Sequence, residues 1–94
     1  MQLQWLKTFS MAAKTLNFRK TSEQLLMSQP SVTVHIKLLE DFLGVSLFDR
    51  NKNSVTLTDA GKLFIQKAEN LLLQFEESVQ TIHAYKQGFR RTWT

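Results

Sequence analysis

The sequence predicts a mainly α-helical fold with one small β-hairpin and a long C-terminal helix. Three observations predict it. Apolar residues recur at intervals of three and four over most of the chain, which is the period of an amphipathic helix. Two short β-prone pieces, Leu47 to Arg50 and Ser54 to Leu57, flank the turn-forming Asn51-Lys52-Asn53. Beyond them, Thr58 is placed to cap a helix that can run to Gln87, with Gly88 as its stop.

The elements follow in order. Leu3, Leu6, Phe9, Ala13 and Leu16 recur at helical spacing, so residues 2 to 15 read as a first helix, ended by Asn17 and a turn. Arg19 to Met27 reads as a short second helix, with Phe18 at its start and Leu25 facing the core. Ser28 is a good N-cap for a third helix. Pro30 fits its first turn, where a missing N–H would have no intrahelical partner anyway. Val32, Ile36, Leu39 and Leu43 then mark its buried face. Gly44 can adopt the left-handed conformation that ends a helix, and Val45 can close the hydrophobic contact beside it. The last helix, residues 59 to 87, spans roughly 43 Å at about 1.5 Å per residue. Its apolar positions Phe64, Ala68, Leu71, Phe75, Val79 and Ile82 form a stripe widened by Leu63, Leu72 and Leu73. A small head can cover only one end of such a stripe, so the rest needs another partner. The same helix from a second copy is the natural cover, as in a coiled coil; the alternative is further chain of the same molecule.

Composition narrows the class. The 94 residues make one small domain, and 43% hydrophobic residues with seven Phe and a single Pro suit a compact helical core. There is no 18-residue apolar run, which argues against a membrane span, and the N-terminus lacks the pattern of a signal peptide. With zero cysteines, disulfides and thiolate metal sites are excluded, which fits a cytoplasmic protein. The net charge of +4 favours an anionic partner. Its distribution says more. Through Leu38, the five cations Lys7, Lys14, Arg19, Lys20 and Lys37 face the one acid Glu23, and five minus one is the whole +4.

Two helices joined by a short turn, the second polar outside, make a helix-turn-helix, here with the hairpin as a wing. In that unit the second helix offers side chains to base edges in the major groove, while the first crosses the backbone. The outward residues of the third helix are Gln29, Ser31, Thr33, Val34, His35 and Lys37. Gln can read adenine, Ser and Thr can bond several base edges, and Thr or Val can pack on a thymine methyl. Arg19, Lys20 and Lys37 suit phosphates, which fix position without reading sequence. Arg50, Lys52 and Asn53 on the wing suit the neighbouring minor groove or backbone. Each of these is also explicable as an ordinary solvated charge; their gathering around one helix favours DNA. His35 and His83 lack ligand spacing, so neither a metal nor a cofactor is expected, and His35 reads as facing solvent or phosphate. Glu40 and Asp41 are adjacent and diverge on a helix, so they form no catalytic pair. Without a phosphate loop or nucleophile motif, no enzyme is expected. Two rivals remain. One is an RNA-binding domain, which would want an exposed aromatic platform. The other is a protein-interaction module using the long helix.

The residues also carry a family resemblance. Phe18-Arg19-Lys20-Thr21-Ser22-Glu23-Gln24-Leu25, Ser28-Gln29-Pro30-Ser31-Val32-Thr33, and Ile36-Lys37-Leu38-Leu39-Glu40 resemble the signature of LysR-type transcriptional regulators. So do Leu43-Gly44-Val45, Leu47-Phe48-Asp49-Arg50 and Leu57-Thr58-Asp59-Ala60-Gly61. Thr33 to Lys37 is also similar to a subgroup that includes regulators of citrate synthase expression. The resemblance implies a winged helix-turn-helix over residues 1–58 and a linker helix over 59–88 that dimerises antiparallel. It further implies that 89–94 leads into an effector-binding domain, so that a small-molecule effector acts only through that further domain. Carried over residue by residue, it places Gln29, Pro30, Ser31, Thr33, Val34 and Lys37 at the major groove of an interrupted inverted repeat in duplex DNA. Phe64, Ala68, Leu71, Leu72, Phe75, Val79 and Ile82 are then the homodimer seam, which leaves room for a higher oligomer of the full-length protein. Ser22 stands where the family has a small alanine. Val34-His35 stands where an arginine or glutamine is common.

Overall fold

The computed structural model describes residues 1–51 and 54–88. It contains α1 (Leu3–Thr15), α2 (Phe18–Leu25), α3 (Gln29–Leu43), β1 (Phe48–Asp49), β2 (Thr56–Leu57) and α4 (Asp59–Gln87). α1 packs against the other three helices, and α2 also packs on α3. The two strands pair antiparallel, Phe48 opposite Leu57 and Asp49 opposite Thr56. This is a winged helix-turn-helix with a long helical extension, the fold class read from the sequence.

Phe9 of α1 is the centre of the core. It is fully buried and touches two other aromatic rings, Phe48 and Phe64, each at 5.6 Å between centroids. Phe48 in turn meets Phe18 edge-on at 5.5 Å and 84°. Four elements thus meet through four rings, a geometry that adds to their area burial about 0.5–1.5 kcal/mol per pair. Around them, Leu6, Val32, Ile36, Leu39, Leu47 and Ala68 complete the buried cluster, with Trp5 and Met27 packed at its rim. Buried hydroxyls are satisfied locally. The Thr15 and Thr21 hydroxyls lie 2.8 Å apart, and each lies 2.9 Å from the Asn17 carbonyl oxygen. The Ser22 hydroxyl donates to the Arg19 carbonyl at 2.7 Å, which makes serine acceptable in a small buried place.

Helix ends depart from the sequence expectation in informative ways. α1 is closed by Leu16 in the left-handed region at φ 51, its N–H donating to the Ala12 carbonyl at 2.8 Å. Asn17 therefore does not end α1. It caps α2, accepting the Lys20 N–H on Oδ1 at 2.9 Å. α2 stops before Met27 because Leu26 is also left-handed, at φ 55. Ser28 caps α3 and Thr58 caps α4 as read from the sequence. Gly44, at φ 77, ends α3.

The strands are two residues long rather than four, since the flanking backbone bonds elsewhere. The Leu47 amide donates to the Glu40 carboxylate and the Leu47 carbonyl accepts the Thr58 N–H. Gly61 permits that join. A Cβ there would collide with the Leu47 carbonyl oxygen and lie 2.9 Å from Leu57 Cδ2. α4 belongs partly to the head. Phe64, Ile65 and Leu72 pack against the core, and Ala68 lies within it. Ala68, expected in the dimer seam, is fully covered by its own chain and has no surface to offer a partner. Beyond Leu72 the helix runs on for 15 residues to Gln87, about 22 Å, past the packed part of the head. Among the described residues no helix is long and apolar enough to cross a membrane.

Leu26 holds a left-handed backbone that costs a leucine about 1–2 kcal/mol, while its side chain is 93% exposed and contributes little packing. Asn tolerates that conformation better. Leu26→Asn should therefore stabilise the chain by about 0.5–1 kcal/mol, read as a higher denaturant midpoint at unchanged slope.

Candidate nucleic-acid interface

The first turn of α3 is fixed by its cap. Ser28 Oγ accepts the Ser31 N–H at 3.2 Å and lies 2.8 Å from the Ser31 hydroxyl. Gln29 and Pro30 stand on that turn, both exposed. Val32, Ile36 and Leu39 hold the inward side of the helix, so the face opposite them carries Pro30, Val34 and Lys37, all exposed. Thr33 and Ser31 sit half-buried on its flanks. The Thr33 hydroxyl donates back to the Gln29 carbonyl at 3.3 Å, which leaves its oxygen as an acceptor.

Arg19 and Lys20 lie in the first turn of α2 and are exposed. Arg19 approaches Glu23 at 3.6 Å, with both side chains largely in solvent. Such a pair holds weakly and leaves the guanidinium able to turn to a stronger anion.

Two residues are placed otherwise than expected. His35 does not face solvent or phosphate. It is half-buried, with Nδ1 2.9 Å from the Thr8 hydroxyl of α1, which itself donates to Met27 Sδ at 3.9 Å. Its position on the helix is displaced from the outer face toward α1, and the buried Thr8 hydroxyl needs a polar partner. Arg50 does not reach out from the wing. Its guanidinium is 3.8 Å from Glu40 Oε1 and stacks over the Phe18 ring, 4.9 Å from the centroid. Both a carboxylate and an aromatic face attract it to the base of the hairpin. Lys52 and Asn53, the other two wing residues, lie outside the described residues, as do 89–94.

Glu40 is the residue that sequence reasoning missed. Its Oε2 accepts the amides of Leu47 at 2.7 Å and Phe48 at 3.2 Å, across the turn from α3 into β1. A signal was available. Glu40 follows Ile36 by four and precedes Leu43 by three, so it borders the buried stripe, where an acid needs donors.

Of the expected dimer residues beyond Ala68, Phe64 and Leu72 pack on the head core. Leu71, Phe75 and Ile82 are 49%, 45% and 62% exposed, so the apolar stripe that covers the head continues bare along the rest of α4. Val79 lies on the same length of helix and is half-buried.

Residues 3–62 match the family described as bacterial regulatory helix-turn-helix protein, lysR family. The chain belongs to that family. Among curated relatives, the HTH-type transcriptional regulator CitR of Bacillus subtilis (strain 168) is 46% identical over 92 residues, 98% of this chain and 32% of CitR. The chain thus spans about a third of the length of such relatives. Among solved structures, the BenM DNA-binding domain in complex with catB site 1 DNA matches with a TM-score of 0.89 at 30% identity, covering 94% of this chain and 98% of that one. The CbnR domain in a DNA complex matches at 0.86 and 31% identity, covering 93% and 100%. The fold is that of LysR winged-helix domains.

Proposed function

We propose that this chain is the sequence-specific, duplex-DNA-binding part of a dimeric LysR-type transcriptional regulator acting in the cytoplasm, and that it is not an enzyme. The observation that carries the reading is the outer face of α3. It is capped, exposed and held against α1, with Gln29 and Pro30 on its first turn and Val34 and Lys37 on the next two. The DNA complexes of the BenM and CbnR domains support it, since their folds superpose on nearly the whole chain. In this reading α3 lies in the major groove with Gln29, Pro30, Ser31, Thr33, Val34 and Lys37 toward the bases. Arg19 and Lys20 meet phosphates. Lys52 and Asn53 serve the wing, and Arg50 secures its base.

The bare length of α4 is the dimer seam, built from Leu71, Phe75, Val79 and Ile82, with Phe64 and Leu72 where it joins the head. Two symmetric heads on one side of the duplex then meet successive major grooves, so the preferred site is an interrupted inverted repeat with half-sites about one helical turn apart. Response to a small-molecule effector belongs to a further domain of the longer protein.

Gln29→Ala should cost about 1–3 kcal/mol on the site selected from a random duplex pool, and much less on arbitrary DNA at the same salt. An equal loss on both would remove Gln29 from base reading. For the seam, Leu71→Glu combined with Phe75→Glu should give monomers by sedimentation and weaken DNA binding, because linked half-site contacts reinforce each other. A double variant that stays dimeric would contradict the seam.

A further inference from the structure

We infer that protonation of His35 tightens DNA binding by this chain, through a proton-sensitive contact between α1 and α3 built from His35, Thr8 and Met27. The inference rests on the DNA-binding reading above and adds a regulation to that surface.

The Thr8 hydroxyl is fully buried, 2.9 Å from His35 Nδ1 and 3.9 Å from Met27 Sδ. It donates to the sulfur, which leaves its oxygen free to accept from the ring. The three groups thus form one chain, Nδ1–H to Thr8 oxygen and Thr8 O–H to sulfur. A hydrogen bond at one ring nitrogen decides which nitrogen is left bare, and here that is Nε2. Nε2 has no partner in the protein. Among the described residues no buried side-chain nitrogen or oxygen lacks a partner, so this one edge of the ring reaches water. A proton taken from water at Nε2 makes the ring a cation and breaks no bond to Thr8 or Met27. The charge instead strengthens the Nδ1–H donor. α3 therefore gains a positive charge without moving.

No carboxylate neutralises that charge. The positions one turn either side of Thr8 on α1, and one turn either side of His35 on α3, are all uncharged. From α2, Glu23 lies one turn before Met27, but it is exposed and paired with Arg19. Glu40 is taken by the β1 amides and Arg50. The cations nearby in sequence are Lys7, next to Thr8, and Lys37, two residues past His35, both exposed. A charged His35 thus adds to the positive side of the recognition helix, one residue from its outer face at Val34. Bound DNA favours the charged ring over the neutral one. Across the histidine range the complex then holds more protons than the free chain and free duplex together. Affinity therefore rises as pH falls, and levels off once the ring is charged in both states.

The test uses the 94-residue chain and a duplex it selects from a random pool, at one ionic strength. Affinity should rise about three- to tenfold from pH 8 to pH 5.5. His35→Gln should lose most of that response, since it cannot take up the proton. His83→Gln should keep it, which separates the two histidines, and the Met1 amino group is common to both variants. Thr8→Val deprives Nδ1–H of its acceptor and disfavours the cation, so the response should move to lower pH. In the wild-type chain, which needs no variant to fold, the His35 ring signals should titrate at higher pH with duplex than without. The same pH dependence in wild type and His35→Gln overturns the inference, and so does a His35 titration that duplex does not move. Firm binding with no pH response overturns this inference alone. Failure to bind any duplex at any pH overturns the DNA-binding reading with it.

Discussion

The carboxylate of Glu40 joins the three working parts of this molecule. One oxygen accepts two consecutive amides, Leu47 and Phe48, at the start of the wing, and the other faces the Arg50 guanidinium. Hydrogen bonds to a charged acceptor are worth about 1.5–3 kcal/mol each, more than neutral ones. The same short segment then reaches α4. The Leu47 carbonyl takes the Thr58 N–H, and the Thr58 hydroxyl donates to the Ser46 carbonyl at 2.6 Å while accepting the Gly61 N–H at 3.0 Å. Gly61 has no side chain because the Leu47 carbonyl stands where its Cβ would be. The end of α3, the base of the wing and the start of α4 are thus tied within one hydrogen-bonded corner. Phe9, packed on Phe48 and Phe64, fills the space beneath it.

That corner matters because the proposed surface is spread over separate elements. A recognition helix reads a groove only if its roll and depth are set, and a dimeric helix spaces two heads correctly only if it leaves each head at a fixed angle. His35 and Thr8 set the roll of α3 against α1 near its middle; Glu40 sets its far end against the wing. Thr58 and Gly61 set the departure of α4. The outer face left over is a narrow one, with polar Gln29 at its start, an apolar middle at Val34 and Leu38, and Lys37 beside them.

Much of the fold was legible in the sequence, since apolar period and caps act locally. Ser28, Gly44 and Thr58 mark helix ends by their own chemistry, and α4 runs from Asp59 to Gln87 as read. What escaped depended on tertiary partners. Leu16 and Leu26 adopt left-handed backbones that nothing in a leucine advertises. The strands shortened because Glu40 and Thr58 claim the backbone beside them. Sequence alone puts His35 toward solvent or phosphate and Arg50 on the wing, because it shows charge and spacing but not the nearby Thr8 hydroxyl or Phe18 ring. Ala68 looked like seam because its stripe is continuous, and only packing shows where the head stops covering it.

The most direct measurement is amide hydrogen exchange at Leu47 and Phe48 in Glu40→Ala, with DNA affinity measured in parallel. Removal of the carboxylate should speed exchange of those two amides by tenfold or more, the kinetic equivalent of about 1.4 kcal/mol or greater, while the amides of α1 change far less. Affinity should fall on preferred and arbitrary duplexes together, because the wing and α3 lose their common reference. Unchanged exchange at Leu47 and Phe48, with DNA binding intact, would contradict the claim that this carboxylate holds the recognition helix, the wing and the linker helix in one arrangement.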